Sequence, residues 1–243
     1  MKTSEKIGFL INAGEPGGKR LRENGFFYSL NAKLPRPDKL FLPRLNSPGF
    51  SLADLDQLHE LRENLLPFHH QTWSAGAFHL QREHILGEAR HSPVDRHRLL
   101  GTVHNHIPDD VVQAYNAASR RFESWQHGAV GERAHCLHSM AEQLQQHQPE
   151  LLYLLMTEGG KVLEDALGEW REAVDLCRYY ADEAERLQQV QTLPHITGEH
   201  NRLTLAARGV FLCISPWNFP LAIFLGQIAA ALVTGNTVVA KAA

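Results

Sequence analysis

Cysteine is scarce: Cys136, Cys177 and Cys213 are the only three in 243 residues. An odd number at wide spacing builds no disulfide framework, so a reducing, cytoplasmic compartment is the expectation. Long hydrophobic runs are missing too. The most apolar segment, Leu221–Val233, has 13 residues and would span roughly 20 Å as a helix, short of a bilayer core. The opening MKTSEKIGFLINAGEPGG lacks an apolar block and cleavage site, so no secretory leader is expected. Charge of one sign is not in excess: a net charge of −3 and a pI near 6.6 argue against a nucleic-acid partner. The first 44 residues are locally basic, with nine Lys/Arg against four Asp/Glu, which suits a solvated face or linker. The 15 histidines include His69, His70, His79, His84, His104 and His106. They show no ligand spacing to cysteines or carboxylates, so no metal is expected. Gly14–Lys19 superficially looks like a phosphate loop but lacks the spacing and the Ser/Thr after the lysine. The aromatics are scattered at packing intervals and form no base-stacking platform.

What the chain does contain is helical periodicity in its middle. Residues 1 to about 50 are weakly patterned: Ile7–Ile11 suits a short strand, and Lys33–Gly49, with Pro35, Pro37, Pro43 and Pro48, suits an extended connector. Ser51 to Leu66 predicts a helix capped by Ser51, with Asp54 three positions on and a stripe of Leu52, Leu55, Leu58, Leu61 and Leu65 ended by Pro67. Residues 68–101 are ambiguous. Pro108–Trp125 predicts a helix burying Val111, Ala114, Tyr115, Ala118, Phe122 and Trp125, ended by Gly128 and Gly131. Ala134, Leu137, Met140, Ala141 and Leu144 mark the next face. Pro149 opens a short helix with Leu151, Leu152, Leu154 and Leu155. Beyond Gly159-Gly160 a longer helix covers Lys161–Leu187, with Leu163, Leu167, Trp170, Val174, Cys177, Tyr180, Ala184 and Leu187 inward. Glu158, Glu164, Asp165 and Glu169 read as its solvated surface, and residues 188–202 as a polar bridge.

The densest signal is at the end. Leu203–Ala207 and Val210–Ile214 predict strands joined by a short turn. Ser215-Pro216-Trp217-Asn218-Phe219-Pro220 interrupts, Leu221–Val233 predicts a helix with Pro220 in its first turn, Gly235-Asn236 a tight turn, and Thr237–Ala240 a strand. Strand, loop, helix, turn and strand make a parallel βαβ unit. Ligands of open α/β sheets sit beyond the carboxyl ends of the strands, where Ser215–Phe219 and Lys241 fall. By residue chemistry alone, Asn218 is either a donor to an oxygen gaining negative charge or a turn asparagine satisfying nearby backbone.

Ile214–Pro220, the helix after it and Gly235–Lys241 resemble the aldehyde dehydrogenase superfamily. So do Glu158-Gly159-Gly160-Lys161 and the segment from Glu169 to Ala181. The latter is similar to the L-glutamate γ-semialdehyde dehydrogenase half of the bifunctional proline utilisation A family. His91–Arg96, followed by Gly101-Thr102-Val103, resembles a turn and strand of these enzymes. More loosely, Lys19–Gly25 resembles the last active-site helix of a proline dehydrogenase barrel, with Arg20 as a carboxylate-binding arginine. Leu34–Leu40 and Pro43–Gly49 resemble the connector between the two halves.

The resemblance implies an α/β fold in which a helical N-terminal part leads into the start of a Rossmann-like cofactor-binding sheet. The organisation it implies is a connector with a barrel remnant over 1–50, a helix-and-loop lead-in over 51–100, and an incomplete aldehyde dehydrogenase cofactor-binding domain over 101–243. It implies that Ile214, Ser215, Pro216, Trp217, Asn218 and Lys241 contact NAD, that Asn218 stabilises the oxyanion, and that a small-molecule aldehyde is the substrate. Ala242 stands where the family has proline. The nucleophilic cysteine, the general-base glutamate and the Gly-rich loop of the family have no counterpart in these 243 residues. Cys136, Cys177 and Cys213 read as packing residues. The expectation is an incomplete NAD-dependent dehydrogenase with little or no activity of its own, with a homo-oligomer or a missing C-terminal portion as its expected partner. A non-catalytic scaffold or interaction module is the alternative.

Overall fold

A computed structural model describes residues 20–23, 26–29, 39–76 and 87–243. The expected strand at Ile7–Ile11, the Gly14–Lys19 segment and Leu34–Asp38 lie outside the described residues. The chain divides into two units, Met1–Asn46 and Ser47–Ala243.

In the first unit, strand β1 (Arg20–Glu23) pairs antiparallel with β2 (Phe26–Ser29), Glu23 opposite Phe26. The segment whose resemblance implied a helix is therefore a strand over Arg20–Glu23. Phe26-Phe27-Tyr28 is β-prone.

The second unit opens with Ser47. Its N–H and hydroxyl donate to the two carboxylate oxygens of Asp175, at 2.6 and 3.0 Å. Helix α1 (Leu55–Leu65) starts three residues later than the stripe suggested, because Asp54 is its cap, accepting from the N–H groups of Asp56 and Gln57. A short 3-10 turn (Leu66–His70) leads to a three-stranded sheet of β3 (Trp73–Gly76), β4 (Glu88–His91) and β5 (Leu99–His104), in the order β3-β5-β4. β3 runs parallel to β5 and β4 antiparallel to it. Gly101-Thr102-Val103 lies within β5 as expected, and this sheet resolves the ambiguous stretch.

Four helices follow: α2 (Pro108–Gln126), α3 (Val130–Gln146), α4 (Gln148–Thr157) and α5 (Leu163–Leu187). All four match the expected spans. α2 has a local start: the Asp110 carboxylate accepts from the Ile107 N–H at 3.0 Å. Its expected face is only partly covered. Ala114, Ala118, Phe122 and Trp125 are half-buried, whereas Val111 and Tyr115 stand 54% and 55% exposed. Periodicity places them on one face, but that face stays open at Val111 and Tyr115, although Asp110 in the same turn is buried. α4 joins the sheet to the helices: Trp73 Nε1 donates to Glu150, Ser92 Oγ donates to the Thr157 carbonyl, and Tyr153 packs on the Trp73 ring.

A two-residue antiparallel pair, β6 (Gln191–Thr192) with β7 (Arg202–Leu203), replaces the longer strand expected over Leu203–Ala207. Strand β8 (Val210–Ile214), helix α6 (Ala222–Val233) and strand β9 (Thr237–Lys241) then form the parallel βαβ unit. Helix α6 begins just after the expected point, with Leu221 as its cap and Pro220 outside its first turn.

The core lies among α3, α4, α5 and α6. Ala134, Leu137, Ala141, Leu152, Ala166, Trp170, Val174, Cys177, Ala181, Ala229 and Val233 are all buried there. Small residues let α6 approach α5 closely: a Cβ on Gly226 would stand 2.9 Å from Leu176 Cδ1. Trp170, 1% exposed, fills the largest volume and donates from its indole to the Leu144 carbonyl at 2.7 Å. No helix among the described residues is long and apolar enough to cross a membrane.

Candidate functional site

The site is the carboxyl edge of the β8–β9 pair. Ile214 and Lys241 are register partners at the end of their strands, and the Ser215 N–H donates to the Lys241 carbonyl at 2.9 Å. The two segments singled out by sequence are therefore brought together. Parallel strands joined through a helix place both of their carboxyl ends on one side. The link between them depends on Gly235, at φ +91°, a conformation that side chains other than glycine rarely adopt. Asn236, beside it, is buried. Its carbonyl oxygen accepts from the N–H groups of Arg208 and Gly209, and its amide donates to the Ala231 carbonyl and Thr234 Oγ1. One side chain thus ties the end of α6 to the start of β8.

The loop from Ser215 to Pro220 presents two kinds of side chain. Ser215 is buried, its hydroxyl placed to donate to the carbonyls of Pro216 and Pro220 at 3.2 and 3.3 Å. It closes the loop on itself. Trp217 is 84% exposed, and Asn218 is exposed and makes no hydrogen bond to the described residues. Of the two roles the sequence left open for Asn218, satisfying nearby backbone is not the one seen. Pro216 is half-buried, while Ile214 and Lys241 are exposed.

Beneath the loop lies a pair that the sequence reading missed. Glu169, assigned there to a solvated surface, is 1% exposed. One carboxylate oxygen accepts from the N–H groups of Leu221 and Ala222 at 2.7 and 3.2 Å. The other is 2.9 Å from Lys161 Nζ, which also lies 4.3 Å from the centre of the Phe219 ring. The start of α6 has no local side-chain cap, so Glu169 satisfies its orphan donors from 52 residues away. A cue was present: Glu169 adjoins Trp170 and lies at helical spacing from Ala166 and Ala173, all on the inward face.

The cysteines stay apart from this chemistry. Cys177 is fully buried, and burial pushes its thiol up to about 12 from 9.0. Cys213, on β8, is raised for the same reason. Cys136 is exposed. A disulfide-exchange reagent is therefore expected to modify one thiol per native chain, lost in Cys136→Ser, and all three in denaturant. The raised Cys177 thiol also sets a pH trend. Above pH 9.0 the unfolded chain releases this proton while the folded chain keeps it, so its contribution to stability falls as pH rises toward about 12. No group of three or more His, Cys, Asp or Glu among the described residues could hold a metal ion.

A strand, a Ser-Pro-Trp-Asn-Phe-Pro loop, a helix and a lysine-ended parallel strand form an open α/β edge of the kind at which ligands of such sheets sit. The chain belongs to the aldehyde dehydrogenase family, whose model matches residues 87–243. Within that family it is similar to the bifunctional protein PutA of Escherichia coli, with 37% identity over 214 residues. That match covers 87% of this chain and 15% of the relative. A crystal structure of Bradyrhizobium japonicum proline utilization A superposes with a TM-score of 0.72 at 37% identity, covering 88% of this chain and 19% of that one. The 1-pyrroline-5-carboxylate dehydrogenase from Thermus with bound NAD superposes with a TM-score of 0.75 at 27% identity, covering 84% and 40%. The chain thus spans less than half the length of each of these relatives. The expected α/β fold, helical in its N-terminal part and opening into a Rossmann-like sheet, is the fold found.

Proposed function

We propose that this chain supplies the nucleotide-facing opening of an NAD-dependent dehydrogenase that oxidises L-glutamate γ-semialdehyde to glutamate in proline catabolism. The observation that carries this reading is the exposed, unbonded Asn218 beside the Ile214–Lys241 edge. The residues present fit NAD. Ile214, Pro216 and Trp217 offer apolar surface, and Lys241 is a flexible donor for the ribose or its neighbouring phosphate. When bound there, NAD supplies the hydride acceptor. Ser215 shapes the loop through its bonds to Pro216 and Pro220. In a complete enzyme the Asn218 amide would donate to the aldehyde oxygen as a thiolate from outside these 243 residues attacks the carbonyl carbon and negative charge develops on that oxygen.

Burial raises the thiols of Cys177 and Cys213, the opposite of a nucleophile's setting, and Cys136 lies on α3 rather than at the β8–β9 edge. The purified 243-residue chain is therefore expected to form no NADH from glutamate semialdehyde, yet to quench Trp217 fluorescence on NAD titration. Lys241→Ala is expected to weaken that quench about fivefold or more, the scale of one charge-assisted contact. Absence of any NAD-dependent signal from Trp217 would sink the nucleotide reading. A second reading, a non-catalytic interaction module, draws on the exposure of Phe211, Leu212 and Ile214 along β8. It requires concentration-dependent self-association or partner capture without NAD binding, which sedimentation with and without NAD separates.

A further inference from the structure

The Glu158-Gly159-Gly160-Lys161 turn has no part in the chemistry described so far. Helix α4 ends there in a tight cap. The N–H groups of Glu158 and Gly159 both donate to the Leu154 carbonyl, and that of Lys161 donates to the Leu155 carbonyl. Gly160 has φ +67°, and a Cβ on Gly159 would lie 2.6 Å from the Leu155 oxygen. Only glycine fits this turn easily. The turn brings Lys161 to a place where its side chain is 12% exposed, against the Glu169 carboxylate and the Phe219 ring.

The geometry points to Lys161 and Glu169 as positioning residues for the Trp217–Phe219 loop. Neither touches the open edge where Ile214 and Lys241 meet. They act on what flanks Asn218: Lys161 on Phe219, the next residue, and Glu169 on the N–H groups of Leu221 and Ala222. On the other side, Ser215 fastens the loop to Pro216 and Pro220. Asn218 and Trp217 span the gap exposed, so the aim of the Asn218 amide is set by these two anchors. A buried carboxylate is stable here because an ammonium and a helix N-terminus face it from two sides. Removing Lys161 leaves Glu169 underneutralised, so the support answers to charge as well as to shape. The consequence for catalysis rests on the role proposed for Asn218; the anchoring itself does not.

The test uses the 243-residue chain, with amide hydrogen exchange at Leu221 and Ala222 and acrylamide quenching of Trp217, read as the difference from Trp217→Phe. Lys161→Met keeps the aliphatic stem, and Glu169→Gln keeps the volume. Both are expected to speed exchange at Leu221 and Ala222 at least tenfold and to change Trp217 quenching. Amides of Leu137 and Ala141 in α3 keep their rates, and Lys161→Arg restores the parent pattern. Acceleration spread evenly over all helices would mean a general loss of stability and overturn the inference, as would unchanged rates at Leu221 and Ala222. If the two charge variants do not fold, Phe219→Leu decides. It removes the ring under Lys161 and strands no buried charge, and unchanged Trp217 quenching there overturns the inference. Asn218→Ala touches neither anchor and is expected to leave the exchange rates unaltered. Failure of the oxyanion role is thereby read separately from failure of the anchoring.

Discussion

Arg133→Met is expected to lower unfolding stability by about 2–5 kcal/mol, from buried carbonyls left without their donors. Arg133 is 4% exposed and makes no ion pair with the described residues. Its guanidinium is held by carbonyls instead. Nε donates to Val233 at 2.9 Å, Nη1 to Trp125 at 3.3 Å and to Gly128, and Nη2 to the Gln188 side chain at 2.7 Å. Trp125 and Val233 close α2 and α6, and Gln188 caps α5. Helix C-termini carry partial negative charge, so one cation serves the ends of α2 and α6 and also holds the side chain of the residue that caps α5. Burial pushes its pKa down from the ordinary value. Methionine fills the stem's volume but leaves the Val233 and Gly128 carbonyls without these donors, each a loss of roughly 1–3 kcal/mol when desolvated. Lysine cannot form the fork and is expected to fall between the two. Urea unfolding followed by far-ultraviolet circular dichroism measures this. A methionine variant within ~1 kcal/mol of the parent would show that the network is replaceable.

The elements that sequence predicts well are those whose signals are local. The βαβ unit announces itself within 32 residues, Val210 to Lys241, because alternating β-prone and Ala-rich runs are punctuated by Pro220 and Gly235. The helices over 108–187 follow from period alone. What sequence does not reveal is where a charge is buried. Glu169 and Arg133 each have a partner far along the chain, 52 and 100 residues away, as well as near ones, Lys161 for Glu169 and the Trp125 and Gly128 carbonyls for Arg133, that only the fold brings into contact. A charge whose partner no local pattern marks reads as surface. The same distance effect hides β3, whose parallel partner β5 comes 28 residues later, Trp73 against Gly101. Val111 and Tyr115 fail in the opposite sense: their spacing marks an inward face, but burial requires a neighbour that no local pattern encodes. In the site, the pairing of Ile214 with Lys241 was readable from topology, whereas the support under the loop was not.

Asn218→Ala is expected to lower kcat by about 10²–10³, the cost of deleting one oxyanion donor. The measurement needs a chain that turns over, such as the Thermus 1-pyrroline-5-carboxylate dehydrogenase with residues 87–243 of this protein in place of its matching segment. In the 243-residue chain itself the same substitution is expected to leave stability within about 0.5 kcal/mol, as for a surface change away from any network. The two expectations together are what separates a donor from a turn residue. An asparagine that held the loop would cost stability when removed, and Asn218, exposed and unbonded among the described residues, has no bond to lose. Asn218→Asp sharpens the test. It preserves size and exposure, but a carboxylate accepts where a donor is needed and repels the developing negative charge, so kcat falls at least as far as with alanine. KM changes little in either variant, because the charge to be stabilised appears only as the carbonyl is attacked. A kcat within about threefold of the parent in the alanine variant, roughly 0.7 kcal/mol, would remove Asn218 from the chemistry. A donor of this kind is worth most when it is aimed before the charge appears. The loop that carries Asn218 is fastened at Ser215 on one side and at Phe219, Leu221 and Ala222 on the other, so its backbone is held while the amide stays unbonded among the described residues and free to donate.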